Sequence, residues 1–206
     1  MGRRSLHTPD ELRELILGAT RRVVEVDGIC QPSAREIARA IGYAPGTLYN
    51  MFRNLDEILL HVEARIFKEL DARIEREVTS KKGREAIRQF TEAYVGYACE
   101  NPRLWSLVIR HHPENTTVVP DWYLELAHAP LSRLEKSLER AYPSADADVV
   151  AHKAHLIWAA LHGLVQVAMT KKFGALSRPA ISSMAQELAE NFLSGMAQSL
   201  DRRSDG

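Results

Sequence analysis

Two short helical segments joined by a glycine turn, between Ser33 and Phe52, constrain this chain more than any other stretch. Ser33 is followed three residues later by Glu36, which is the capping-box pattern that starts a helix. Gly42 readily takes the left-handed conformation that ends a helix, and Pro45 is favoured in the first turn of the next. The inward apolar positions are Ile37, Ala38, Ile41, Leu48 and Phe52. The segment therefore predicts a helix-turn-helix, two short helices joined by a tight turn.

The outward face of the second helix carries Gly46, Thr47 and Asn50, which are small, uncharged or hydroxylated. An ordinary helical hairpin would bury the same apolar residues, but its solvated face usually carries Lys and Glu. The observed face favours insertion into the major groove of DNA. We expect base-edge contacts from Pro45, Gly46, Thr47 and Asn50 and a phosphate contact from Tyr49. We assign to the same DNA interface the start of the first of these two short helices, with Ser33, Ala34 and Arg35.

The same residues resemble the N-terminal domain of TetR-family transcriptional regulators. The likeness rests on Arg35-Glu-Ile-Ala, Gly42, Gly46-Thr-Leu-Tyr-Asn-Met-Phe and an acidic-apolar run from Asp56. Ala44 departs from the pattern because the family often has a capping Ser there, a cap worth about 1 kcal/mol. Leu55 also departs, since a phosphate-binding Lys is common at that position. The resemblance implies a DNA-binding regulator whose operator affinity is weakened at these two points.

Charge gives only weak support to DNA binding. The chain has 206 residues, with 27 basic and 27 acidic side chains and a formal net charge of zero. Residues 1–53 hold 8 Lys and Arg against 6 Asp and Glu. Base contacts or dimerisation must therefore supply part of the affinity. Arg3 and Arg4 lie in a stretch predicted to be a disordered arm, for which a minor-groove role and a plain solvated terminus are both open.

Cysteine content and hydropathy indicate the compartment. Cys30 and Cys99 are too few for a disulfide framework, and no run of 18 apolar residues or secretory signal is present. These features predict a cytoplasmic protein without a membrane partner. A redox-sensing role for the two cysteines is an alternative to the commoner role of small buried apolar residues.

The spacing of apolar residues predicts an all-α chain of about nine helices without strands. A first helix starts at the capping box of Thr8 and ends at Gly28, and a fourth runs from Asn54 to about Val78. We expect residues 1–55 to form the DNA-binding domain and residues 56–206 a ligand-binding and dimerisation domain. The longest helix is predicted to start at Ser144. This helix and the last one are apolar on more than one face, which predicts a homodimer, as the family resemblance also implies.

Aromatic residues suggest where a small molecule binds. Trp158, His162 and Gly163 resemble the Trp-x-x-x-His-Gly stretch in the penultimate helix of one subgroup of TetR-like proteins. Trp158 and His162 are four residues apart and therefore share a helix face. Plain core packing is the alternative for each aromatic residue taken alone. The predicted ligand-binding set is Tyr94, Tyr97, Trp105, Trp122, Trp158 and His162.

The sequence does not predict a catalytic site or a metal site. Glu125 and His128 have the spacing of a carboxylate-bridged metal site, but that site needs a second copy and further glutamates. We therefore predict no enzyme, no catalytic residue, no metal and no cofactor. The predicted function is a repressor that releases double-stranded operator DNA when a small, largely apolar effector binds. The alternative is a helical adaptor or small-molecule carrier that no longer regulates genes.

Overall fold

The computed structural model describes residues 7–29, 31–114, 118–170 and 174–204, with side chains as far as residue 197. These residues form nine α-helices and no β-strand, which confirms the predicted fold class. The helices are α1 (Pro9–Glu25), α2 (Ala34–Ile41), α3 (Pro45–Leu48), α4 (Leu55–Val78), α5 (Gly83–Glu100), α6 (Pro102–Arg110), α7 (Asp121–Ala141), α8 (Ala147–Thr170) and α9 (Arg178–Ser204).

The predicted helix starts at the N-terminal end of the chain are confirmed. The Ser33 hydroxyl accepts a hydrogen bond from the Glu36 amide at 3.3 Å, and the Glu36 carboxylate accepts one from the Ser33 amide at 2.7 Å. Thr8 caps α1 in the same way, and the Asn54 side chain accepts from the Glu57 amide at 2.9 Å at the start of α4. Gly42 ends α2 with a φ of 72°. Short-range capping chemistry therefore fixes the helix-turn-helix boundaries.

Three predicted helix boundaries are wrong. α1 ends at Glu25 instead of at Gly28, and Val26, which follows the helix, is 64% exposed. α3 ends at Leu48, short of Phe52, because the amides of Asn50 and Met51 bond three residues back in a tightened turn. α8 starts at Ala147 instead of at Ser144, because Ser144 lies in a turn closed by the Ala145 amide and the Tyr142 carbonyl.

The Asp146 carboxylate, and not the Ser144 hydroxyl, accepts a hydrogen bond in the first turn of α8, from the Asp148 amide at 2.9 Å. The longest described helix is α9 with 27 residues, whereas α8 has 24. The residues outside the described ranges include Cys30, Arg3 and Arg4.

The chain divides into two compact units. The first comprises Met1–Ile66 and Arg103–Leu124, and its core includes the fully buried Ile16, Ile37, Leu48 and Ile58. The second comprises Phe67–Pro102 and Glu125–Gly206, and in it α5 packs against α8 and α9 around Phe90, Tyr94 and Leu161. The functional boundary after residue 55 stays a prediction. Compact units need not coincide with functional domains.

The N-terminus of α3 has no side-chain cap, since Ala44 occupies the capping position with extended φ and ψ of −77° and 148°. We expect Ala44→Ser to increase the free energy of unfolding by about 1 kcal/mol, because the hydroxyl satisfies a free amide of the first turn. Urea denaturation measures this change. Ala40→Ser, an equivalent substitution at an exposed position in the last turn of α2, is the control and is expected to give no gain. Equal effects of the two substitutions would contradict the capping argument.

Candidate DNA interface and ligand site

The eight residues predicted to contact DNA all keep accessible atoms. Ser33, Arg35, Gly46 and Asn50 are exposed, and Tyr49 is 50% exposed. Ala34, Pro45 and Thr47 are half-buried. Of the apolar residues predicted to point inward, Ile37, Ala38, Leu48 and Phe52 are buried, whereas Ile41 is half-buried. The segment thus presents hydroxyl, amide and phenol groups to solvent while its apolar side chains form the core, and the DNA-binding role of these residues stays a prediction.

A cationic side chain supports this segment from α1. The Arg13 guanidinium donates to the Met51 carbonyl at 3.3 Å and lies 4.3 Å from the centroid of the Phe52 ring. Its other terminal nitrogen lies 2.5 Å from His61 Nε2 on α4. The His61 ring stacks on Trp122, with centroids 4.3 Å apart and an interplanar angle of 11°. Sequence reasoning missed Arg13 and His61, because no local pattern relates positions 48 residues apart.

A second polar cluster in the first unit surrounds Glu63, whose side chain is only 2% exposed. His111 Nδ1 lies 2.6 Å from Glu63, and His111 Nε2 lies 3.2 Å from Asp56. The Tyr123 hydroxyl donates to Glu63 at 2.7 Å. Burial acts to lower the pKa of His111, but hydrogen bonds and charge from Glu63 and Asp56 outweigh it and raise that pKa above its ordinary value. Burial and Glu63 raise the pKa of Tyr123.

Three of the six predicted ligand-binding residues come together in the second unit. The Tyr94 hydroxyl lies 2.8 Å from His162 Nδ1, and the Trp158 ring meets the Tyr94 ring edge to face at 5.0 Å. Burial raises the pKa of Tyr94 and lowers that of His162, so both groups are neutral near pH 7. The pair therefore offers a partly buried neutral hydrogen-bonding site beside an indole.

The other three residues of the predicted ligand set have different surroundings. Tyr97 is buried in the second unit and donates to Glu69 at 2.8 Å. Trp105 and Trp122 belong to the first unit, where Trp105 is fully buried and Trp122 stacks on His61. The ligand-binding role of all six stays a prediction.

No metal site is formed within the described ranges, where no three His, Cys, Asp or Glu side chains are grouped to hold an ion. Over the same part of the chain, no helix combines the length and the apolar character needed to cross a membrane. Cys99 is half-buried, and burial raises the pKa of its thiol. A raised pKa disfavours the thiolate, so this environment does not suit a redox sensor.

The capped helix-turn-helix and the second helical unit are typical of helix-turn-helix proteins that carry an additional helical domain. Comparison with known families supports this classification. Residues 16–62 match the family described as bacterial regulatory proteins, tetR family. Residues 87–192, more than half of the chain, match the tetracyclin repressor-like C-terminal domain. The chain belongs to the TetR family. Because this family consists of transcriptional regulators and not of enzymes, the prediction that the chain is not an enzyme is confirmed. Membership in the Trp-His-Gly subgroup stays a prediction.

Two relatives match about half of this chain. The uncharacterized HTH-type transcriptional regulator YobS of Bacillus subtilis is 26% identical over 53% of this chain and 58% of its own length. An uncharacterized HTH-type transcriptional regulator of Haemophilus influenzae is 32% identical over 47% of this chain and 52% of its own length. The chain therefore spans little more than half the length of these relatives.

Solved structures share the fold over most of both chains. The transcriptional regulator FadR from Bacillus subtilis, in complex with stearoyl-CoA, has a TM-score of 0.69 over 88% of this chain and 98% of its own, at 17% identity. The TetR family transcriptional regulator PfmR from Thermus thermophilus has a TM-score of 0.62 over 91% and 97%, at 19% identity. At these identities the likeness establishes the fold alone.

The His111 cluster makes stability depend on pH. Because the pKa of His111 is raised in the folded state, its contribution is complete below the unfolded-state pKa and is lost as the pH rises through the folded-state pKa. We expect His111→Gln to destabilise the protein more at about pH 6 than at about pH 8.5. Urea denaturation at both pH values measures the difference. His112→Gln, at an exposed neighbouring position, is the control. An effect of His111→Gln that grows with pH would contradict the assignment.

Proposed function

We propose that this protein represses transcription by binding operator DNA as a homodimer and that a small, largely apolar effector releases it. The observation that carries the proposal is the accessible polar surface of the helix-turn-helix in a chain of the TetR family. A repressor of this kind acts where the chromosome lies, which agrees with the cytoplasmic location expected from the sequence.

DNA recognition in this proposal depends on short polar groups. Thr47 and Asn50 offer a hydroxyl and an amide for base edges, and Tyr49 offers a phenol for phosphate. Such contacts carry specificity but little charge, and the first 53 residues have a basic excess of only two. Two copies bound about 34 Å apart in successive major grooves would double the contacts. Dimerisation is therefore part of the proposal and not an addition to it.

The proposed dimer surface consists of the outer positions of α8 and α9. Ala159 and Val167 are exposed on α8, and Met184 is 45% exposed on α9. Along α9 an open groove of about 460 Å³ is lined by Met184, Glu187, Leu188, Asn191 and Phe192. An exposed apolar surface of this kind is typical of a surface that another subunit covers.

The effector proposal rests on Tyr94, Trp158 and His162. Trp158 and His162 are half-buried beside the fully buried Tyr94. The three rings enclose one neutral hydroxyl–imidazole pair, which suits a mainly apolar molecule with few polar atoms. The FadR structure that shares this fold was solved with stearoyl-CoA, a ligand with a long apolar chain. Release requires that the effector bind more tightly to the conformer that fits operator DNA poorly, because only differential affinity shifts the populations.

Substitutions on the outward surface test DNA binding. We expect Thr47→Ala and Tyr49→Phe each to weaken binding by about 1 kcal/mol, since each removes one hydrogen-bonding group from the interface. The measurement is fluorescence anisotropy with a duplex that the wild-type protein selects from random DNA. Thr79→Ala, at an exposed site in the second unit, is the control and leaves affinity unchanged. Unchanged affinity for both test variants would contradict the assignment of this surface to DNA. No salt-dependent retention of any duplex would favour the adaptor or carrier alternative.

The dimer surface is tested separately. Met184→Lys places a charge within the proposed interface, so we expect the dimer to dissociate at least about tenfold more readily. Sedimentation velocity across a concentration series measures the change. Val118→Lys is the matched control, because it makes a similar change at an even more exposed apolar position outside α8 and α9. An identical association constant for wild type and Met184→Lys would place the interface elsewhere.

A further inference from the structure

A continuous set of contacts in the first unit connects the first turn of α7 with the end of the helix-turn-helix. Trp122 stacks on His61, and His61 lies 2.5 Å from Arg13. Arg13 donates to the carbonyl of Met51 and covers the ring of Phe52. Met51 directly follows Tyr49 and Asn50, which are two of the residues proposed to contact DNA. A displacement of Trp122 or His61 is therefore transmitted to the DNA-binding surface through direct contacts.

The hydrogen bond between Arg13 and His61 requires a particular state of the imidazole. A guanidinium only donates, so His61 Nε2 must accept with its lone pair while the ring proton lies on Nδ1. Protonation of Nε2 removes that acceptor and places two cations side by side. The charged groups acting on His61 are Arg13 and Glu14 from α1 and Glu57 and Arg65 from α4, and the aromatic rings against it are Phe52 and Trp122.

We propose that His61 is a positioning residue for operator binding, whose neutral imidazole, held by Trp122, keeps Arg13 bonded to the last turn of the helix-turn-helix. This inference rests on the proposed function, because it assigns the regulation of that same DNA-binding surface. Loss of the acceptor on His61 removes one hydrogen-bond partner of the Arg13 guanidinium and thereby loosens the Met51 turn. Operator affinity thereby depends on the protonation of His61 and on the position of Trp122.

Electrostatics agree with the neutral form of His61. Burial, followed by the charge of Arg13, lowers the pKa of the imidazole below its ordinary value. The neutral ring is therefore the resting state near pH 7, and the contact with Arg13 is lost as the pH falls through the folded-state pKa. Arg65 is itself paired with Glu14 at 2.7 Å, so these two charges partly cancel at His61.

Hydrogen–deuterium exchange of the free protein tests the positioning role of His61 in the absence of DNA. We expect residues 45–52 to exchange at least about fivefold faster in His61→Leu, which lacks an acceptor, than in wild type. His61→Gln restores an acceptor oxygen, and we expect its exchange to lie close to that of wild type. His128→Gln, at an exposed position of α7, is the control for loss of a histidine. Equal exchange of residues 45–52 in His61→Leu and wild type would overturn the proposal.

The pH dependence of DNA affinity tests the consequence and needs no destabilising variant. With the duplex selected by wild type, we expect affinity to fall about tenfold between about pH 7.5 and pH 5.5, in both wild type and His128→Gln. His61→Gln should lose at least about threefold less over the same range. Identical pH profiles for wild type and His61→Gln would overturn the role of His61. If wild type selects no duplex, the proposed function fails, while the exchange experiment still decides whether His61 positions the Met51 turn.

Discussion

The helix-turn-helix depends on apolar burial supplied by the rest of the first unit. α2 has eight residues and α3 only four, whereas isolated helices shorter than about 12 residues are marginal in water. Ile37, Leu48 and Phe52 are buried, and α1 packs against α2. Capping by Ser33 and the left-handed Gly42 determine where the short helices begin and end, but burial makes them persist. The outward residues are consequently free to be polar and small, since they contribute little to stability.

Local chemistry was predictable from the sequence, and distant pairing was not. The capping boxes of Thr8 and Ser33 each involve residues three apart, so a linear pattern identifies them. The same reasoning failed at Ser144, because Asp146 offered a competing acceptor two residues later. Arg13 with His61, and Glu63 with His111, are each 48 residues apart and carry no motif. Only the packed first unit reveals that these polar side chains meet.

Which aromatic residues lie together could also be predicted only in part from the sequence. Tyr94 and Trp158 lie on α5 and α8, which pack against each other, so helical spacing on two elements is enough to bring their rings together. Trp105 and Trp122 belong instead to the first unit, which includes Arg103–Leu124 and therefore most of α6 and the start of α7. Composition identifies rings suited to a pocket. Which rings share one is decided by how the chain divides, and no local pattern encodes that division.

Two histidine contacts of α4 respond to protons in opposite senses. The pKa of His61 is lowered, so its contact with Arg13 is weakened as the pH falls. The pKa of His111 is raised, so its pairing with Glu63 and Asp56 is strengthened over the same change. The two contributions to the free energy of unfolding therefore offset each other in part. Acidification therefore weakens the contact of His61 with Arg13 and strengthens the pairing of His111 with the acidic residues Asp56 and Glu63 of α4.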